Sequence, residues 1–216
     1  MSQRQVSFLE TGRSRPRAET VERLCVALDI PLRERNALLG LAGLPPQFDE
    51  TPVGRGTTAT FVAALERTLE AHAPYPGVIV NGWWDVVRLN APAERLLGPV
   101  DGENLAEALL HPAMRERIDN FGPFARAILG RLRRDARRAP FDARLEALCA
   151  SFEAVVGLES GESTAICPAF RVEGGVARTF SLVGELTSAH DITLEELRVE
   201  LLYPADEDSA ALLRGL

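Results

Sequence analysis

The sequence predicts an α+β fold in two parts: a short all-helical segment, then a larger body in which an antiparallel sheet is covered on one face by helices. Three observations predict it. Apolar residues recur at helical spacing three times over residues 2–42. A Pro/Gly-rich stretch, PPQFDETPVGRGT at 45–57, then breaks the pattern. Beyond it, helical and alternating stretches follow in the order helix, hairpin, helices, strands, the order of an α+β sandwich. The expected bounds are a head at 1–46, a linker at 47–57 and a body at 58–216. With 216 residues, 46% of them hydrophobic, the chain is long enough for one substantial core or two small domains.

The first element is a helix over 2–12. Ser2 offers an oxygen to the free N–H groups of the first turn, and Gly12 stands where a left-handed residue ends a helix. At about 100° per residue, Val6 and Leu9 share one side, while Arg4, Ser7 and Phe8 share the other and Gln3 leads at the N-terminal end. Such a helix packs by its back and reads by its front. Gln and Arg can make bidentate contacts to adenine and guanine edges, and Arg13 and Arg15 near the helix suit phosphates. A second helix at 17–28 aligns Val21, Leu24, Cys25 and Leu28, and a third at 32–42 aligns Leu38, Leu39 and Leu41 before Gly43.

In the body, residues 58–72 read as an amphipathic helix with Phe61, Leu65 and Leu69 four apart, ending before Pro74. A hairpin follows, with strands at 77–80 and 84–89 joined by the turn pair Asn81-Gly82. Trp83 and Trp84 should face opposite ways, since strand side chains alternate. Asn90 caps a helix at 91–97 that stops at Gly98. From 105 to 156 the chain is mostly helical, with breaks near Pro112, Gly122 and Pro140, and its long piece at 123–138 puts Phe124, Ile128 and Leu132 on one face. Strands return at 165–172, 176–186 and 197–203, the first two joined by Glu173-Gly174-Gly175, and a short helix closes the chain at 209–213.

Composition excludes several classes. No apolar run approaches the roughly 18 residues of a membrane helix, and the polar N-terminus is unlike a signal peptide, so the expected location is cytoplasmic. Cys25, Cys149 and Cys167 are odd in number and far apart, which suits reduced, buried thiols. His72, His111 and His190 form no metal-ligand pair. His190-Asp191 with Thr193 and Glu196 reads as a capping turn, with no nucleophile beside it. No phosphate or dinucleotide fingerprint occurs. No catalytic residue, metal or cofactor is therefore expected. All 24 basic residues are arginine, which we read as the codon usage of a GC-rich bacterial genome. Residues 1–48 hold seven arginines against five acids while the rest holds 17 against 26, a mildly basic head on an acidic body.

Two resemblances give these readings a direction. SQRQVSFLETGRSRP and ETVERLCVALDIPLRERNALLGLAGLPP are similar to the last three helices of the xenobiotic-response-element type helix-turn-helix domain, through the turn Glu10, Gly12, Pro16 and the segment LRERNALL. The resemblance implies two further helices ahead of the reading helix, where Met1 stands, and hence a partial domain. AHAPYPGVIVNGWWDVVRLNAPAERLLG and HDITLEELRVELLYPADEDSAALL resemble the ligand-binding domain of MmyB-like transcription regulators. That family implies a PAS-like sheet, no enzymatic role, and a fatty-acid-like ligand in an apolar pocket. The expected function is thus a DNA-binding regulator, acting as a homodimer, that senses a small apolar ligand. The alternative is a stand-alone ligand-binding and dimerising module. Candidate DNA contacts are Gln3, Arg4, Ser7, Arg13 and Arg15. Candidate ligand contacts are the apolar residues of facing elements: Val80, Val87, Phe121, Phe124, Ile128, Phe170, Phe180, Leu182 and Leu201. The run Arg131, Arg133, Arg134, Arg137, Arg138 reads as a solvated helix face or as a holder for an anionic head group.

Overall fold

In the computed structural model, residues 2–98, 100, 103–140, 142–156, 167–186 and 189–216 are described. The head holds α1 (Gln3–Glu10), α2 (Ala18–Ala27) and α3 (Leu32–Leu41). Ser2 caps α1 in a reciprocal box with Gln5, and Gly12 takes the left-handed conformation at φ +68°. Val21 and Cys25 of α2 meet Leu39 of α3 in a small core, whereas α1 buries none of its residues.

The body begins with α4 (Thr58–Ala71) and the strands β1 (Gly77–Val80) and β2 (Val86–Leu89). Their connection is not the two-residue turn the sequence predicts. The Asn81 side chain accepts hydrogen bonds from the Trp83 and Asp85 amides, Trp84 donates its own amide to the Asn81 carbonyl, and Trp84 sits at φ +70°. The longer loop delays β2 by two residues and turns the tryptophans apart. Asn90 caps α5 (Ala91–Leu97) as expected. Then come α6 (Leu105–Leu110), α7 (Pro112–Arg117), α8 (Phe121–Arg138) and α9 (Ala143–Val156). Gly122 does not break α8. Pro123 lies in its first turn, where a missing N–H costs nothing, so the helix starts two residues earlier than predicted.

The last third supplies β3 (Ala169–Val172), β4 (Gly175–Glu185), α10 (Ile192–Glu196), β5 (Arg198–Pro204) and α11 (Glu207–Arg214). Residues 165–166, predicted to open β3, lie outside the described residues. The five strands run in the order β2-β1-β5-β4-β3, all neighbours antiparallel. The α+β class therefore holds. One detail differs from expectation: helices cover both faces. Val78, Val80 and Phe170 pack beneath α5 to α9, while Ile79, Val199 and Leu201 meet Val62 and Leu69 of α4 and Leu194 of α10. Strand alternation imposes this split, since consecutive apolar residues in GVIV and in RVELLY must point to opposite faces.

Candidate functional site

A cavity of about 730 Å³ lies between α8 and the inner face of the sheet. Its size falls in the range of small-molecule sites, roughly 300–1,000 Å³. The helix presents Phe124, Ala127, Ile128, Arg131, Arg134, Asp135 and Arg138 to it, spaced three and four apart along one stripe, with Arg126 and Gly130 beside them. The strands answer with alternate residues: Ser181, Val183 and Glu185 from β4, and Arg198, Glu200 and Leu202 from β5. The lining changes character along α8. Apart from Arg126, the lining around its first half is apolar, with Leu97, Leu105, Leu109 and Phe170, and that around its second half is charged.

The charged end is organised around Trp84, which is fully buried. Its indole N–H donates to Asp135 Oδ2 at 3.0 Å, and the same oxygen accepts from Arg198 Nη1 at 2.8 Å. The guanidinium groups of Arg131 and Arg198 lie 4.6 and 5.4 Å from the Trp84 ring. Arg131 also forks onto both oxygens of Glu200. Burial opposes the Arg131 charge, and the hydrogen bonds to Glu200 outweigh it, so its pKa is raised further above the usual arginine value. In this cluster Nε and Nη2 of Arg198 are buried with no hydrogen-bond partner among the described residues; Oγ of Ser181 is another such atom, but it lies four residues along β4 from the position opposite Arg198. Leaving such an atom unsatisfied costs about 1–3 kcal/mol, so an acceptor placed beside the Arg198 guanidinium would offset that cost.

The predicted ligand contacts divide into three groups. Phe124, Ile128 and Phe170 line the cavity. Val80 and Phe121 belong to the core on the same side of the sheet without reaching it, Phe121 lying half-buried beneath Arg115 at 5.0 Å. Val87, Phe180, Leu182 and Leu201 face the other way. Val87 and Leu201 pack toward α4, Phe180 stacks on Tyr203 at 5.2 Å, and Phe180 and Leu182 are 48% and 50% exposed. Choosing strand residues for their hydrophobicity selected the wrong parity, because β4 and β5 turn their polar residues inward. The sequence held a signal for this. Arg198 and Glu200, two apart in RVELLY, have to share a face, and a charged pair beside an apolar strand implies a partner of its own. Trp84, Asp135, Ser181, Arg198 and Glu200 are the functional candidates that hydrophobicity alone passes over. The arginine run divides by helical phase: Arg131, Arg134 and Arg138 face the cavity, and Arg133 pairs with Glu153 of α9 at 2.7 Å.

In the head, Gln3, Arg4, Ser7, Arg13 and Arg15 are all exposed. Phe8 is half-buried under Arg4 at 5.2 Å and Arg13 at 6.0 Å. The head is fastened to the body at α3. Glu195 Oε2 accepts from the Leu32 amide at 2.7 Å, supplying a cap that Pro31 cannot give, and Arg33 forks onto Glu196 at 2.6 and 2.9 Å. Arg33 also reaches Glu50 and lies 4.4 Å from the Trp83 ring. Asp191 caps α10 while accepting from the Thr51 amide at 3.1 Å.

Among the described residues, no three His, Cys, Asp or Glu side chains gather as a metal-holding group, and no helix is long and apolar enough to cross a membrane. No curated protein matches the chain. A helix-turn-helix family model matches residues 1–35, the part that presents α1. The remainder, with its α8-roofed cavity and its RVELLY strand, matches a second family model over residues 62–216, and the chain belongs to that family: the MmyB-like transcription regulator ligand binding domain.

Proposed function

We propose that this transcription regulator senses a small amphiphile with a fatty-acid-like apolar chain, and that a homodimer places two heads on DNA. The observation that carries the reading is the two-ended cavity, apolar beside Phe124 and Phe170 and arginine-rich beside Arg198. Each buried CH₂ contributes about 0.8 kcal/mol, so chain length sets most of the affinity, and Arg198 orients the polar end. In this reading residues 1–46 contact DNA through Gln3, Arg4, Ser7, Arg13 and Arg15, residues 47–57 join the parts, and 58–216 sense. The supporting features for DNA contact are the exposure of all five side chains and the helix-turn-helix match.

A second reading, a ligand-binding and dimerising module, is favoured by one observation: α1 buries none of its residues. A salt-resolved titration of the 216-residue protein on DNA from its own promoter separates the two. The regulator reading expects the logarithm of affinity to fall linearly with the logarithm of salt, by about 0.9 per phosphate neutralised, and Arg13→Ala and Arg15→Ala to reduce that slope by about one each. Salt-independent, weak binding, together with a melting temperature that still rises on adding dodecanoate, would leave the module reading standing.

A further inference from the structure

Six consecutive residues connect the cavity to the head. Glu195 and Glu196, at the end of α10, hold the first turn of α3 through Leu32 and Arg33. Leu197 is buried in the core beneath α4. Arg198 and Glu200, at the start of β5, line the cavity and are paired there with Asp135 and Arg131 of α8. No loop intervenes. α10 runs straight into a strand held on both sides, by β1 through Arg198↔Val80 and by β4 through Arg198↔Glu185. A displacement at Arg198 has little room to dissipate before it reaches Glu196.

The junction itself has space in which to move. A smaller cavity of about 140 Å³ lies against the head, lined by Pro31, Arg33 and Glu196, and it shares Asp135, Arg138, Glu185 and Arg198 with the large one. Those four side chains form the wall between ligand space and head. Two of them are ready to change partners. Among the described residues, Nε and Nη2 of Arg198 are buried with no hydrogen-bond partner, and Arg138 reaches Asp29 of the head through a single exposed contact of 3.2 Å. The hairpin loop closes the junction from the other side. A side chain added at Gly82 would come within 3.1 to 3.2 Å of the end of the Glu196 side chain, so a substitution there would press on it.

We propose that the run Glu195–Glu200 transmits occupancy of the large cavity to the placement of the head: Arg198 and Glu200 respond to the ligand, and Glu195 and Glu196 carry the displacement to the first turn of α3. This rests on the cavity being the ligand site. An acceptor on the ligand takes the free N–H groups of Arg198, weakens its hold on Asp135 and shifts the start of β5. The two glutamates move with it, and α3 follows because its first amide and its first arginine are bound to them. Coupling of this kind needs only a difference in contact between two arrangements of one element, and coupling factors of about 5 to 150 are typical.

The test uses the full chain, with sodium dodecanoate as probe, and two readouts: calorimetry for binding, and amide hydrogen exchange over residues 30–41 for the head. In the wild type, dodecanoate is expected to change exchange at the start of α3 by about fivefold or more. In Glu196→Ala, Arg33 keeps Glu50, so the junction retains a partner for its charge and the fold persists. Dodecanoate affinity should then stay within about twofold while the response of α3 falls by about half or more, the remainder passing through the Glu195 bond to the Leu32 amide. Gly82→Ala, which lies outside the large cavity and presses on Glu196, should alter α3 exchange with no probe present. Binding without any change at α3 in the wild type overturns the proposal, and so does a response of undiminished size in Glu196→Ala. If neither dodecanoate nor its longer saturated homologues bind, the ligand reading of the cavity fails and this inference falls with it.

Discussion

Single residues carry more than packing here, and the hairpin loop is the clearest case. Asp85 is bound by Arg144, Asn81 and Asn104; burial works against its charge, but those hydrogen bonds outweigh it and hold its carboxyl below the ordinary value of 3.8. Its contribution is therefore complete above that value and is lost as pH falls through the lower folded-state value. Asp85→Asn should lower stability by on the order of 1 kcal/mol at neutral pH. Chemical denaturation at a series of pH values should show the gap to wild type closing below about pH 3.8. Trp84 offers a second test, because it is fully buried yet sits at φ +70°. Trp84→Ala should cost about 3–5 kcal/mol, and Trp84→Gly less than that, reversing the usual order because only glycine is at ease with that backbone. Residue-scale features set by local chemistry were legible in the sequence: the Ser2 and Asn90 caps, and Gly12 past the end of α1. The conformation of Trp84 was not, since it follows from the side chain of Asn81 closing the turn and from two ring neighbourhoods that only the tertiary fold supplies.

Among the elements, β4, β5 and α8 decide what the cavity meets. The two strands alternate strictly, so neighbouring positions should respond oppositely. Val183→Trp is expected to fill space beside Glu200 and abolish dodecanoate binding, whereas Leu182→Trp, on the outer face, should leave it within about twofold; calorimetry on both variants checks the parity directly. In α8, Leu132 is fully buried and Arg131 beside it is not, so Leu132→Ala should cost about 2–5 kcal/mol by chemical denaturation through the cavity it leaves in the core. The existence and type of most elements could be read from periodicity, and α8 was read correctly as amphipathic. The sense of the strands was lost because an interior lined by charges paired with one another inverts the rule that apolar residues face inward. α10 was hidden by its length: five residues are too few to show a helical period, so they were legible only as the capping turn around Asp191.

At the scale of the whole molecule, head and body meet through named bonds, and the sequence pointed to the two parts but not to their fastening. Arg33, Glu195 and Glu196 are unremarkable surface charges in a linear reading, 163 residues apart for the Arg33 to Glu196 bond. Only the fold brings them together. A ligand that binds the native chain alone should stabilise all of it, by about 2.7 kcal/mol at a hundred times its dissociation constant, and a single melting transition for α3 and the sheet would show that the fastening holds on heating. The loop between β1 and β2 adds a practical consequence. The chain has two tryptophans, one lying against Arg33 of the head and the other against Arg131 and Arg198 of the cavity. Their emission is therefore already assigned by place: Trp83→Phe leaves a fluorophore that senses the cavity, Trp84→Phe leaves one that senses the head, and the protein carries its own pair of optical probes without a label attached.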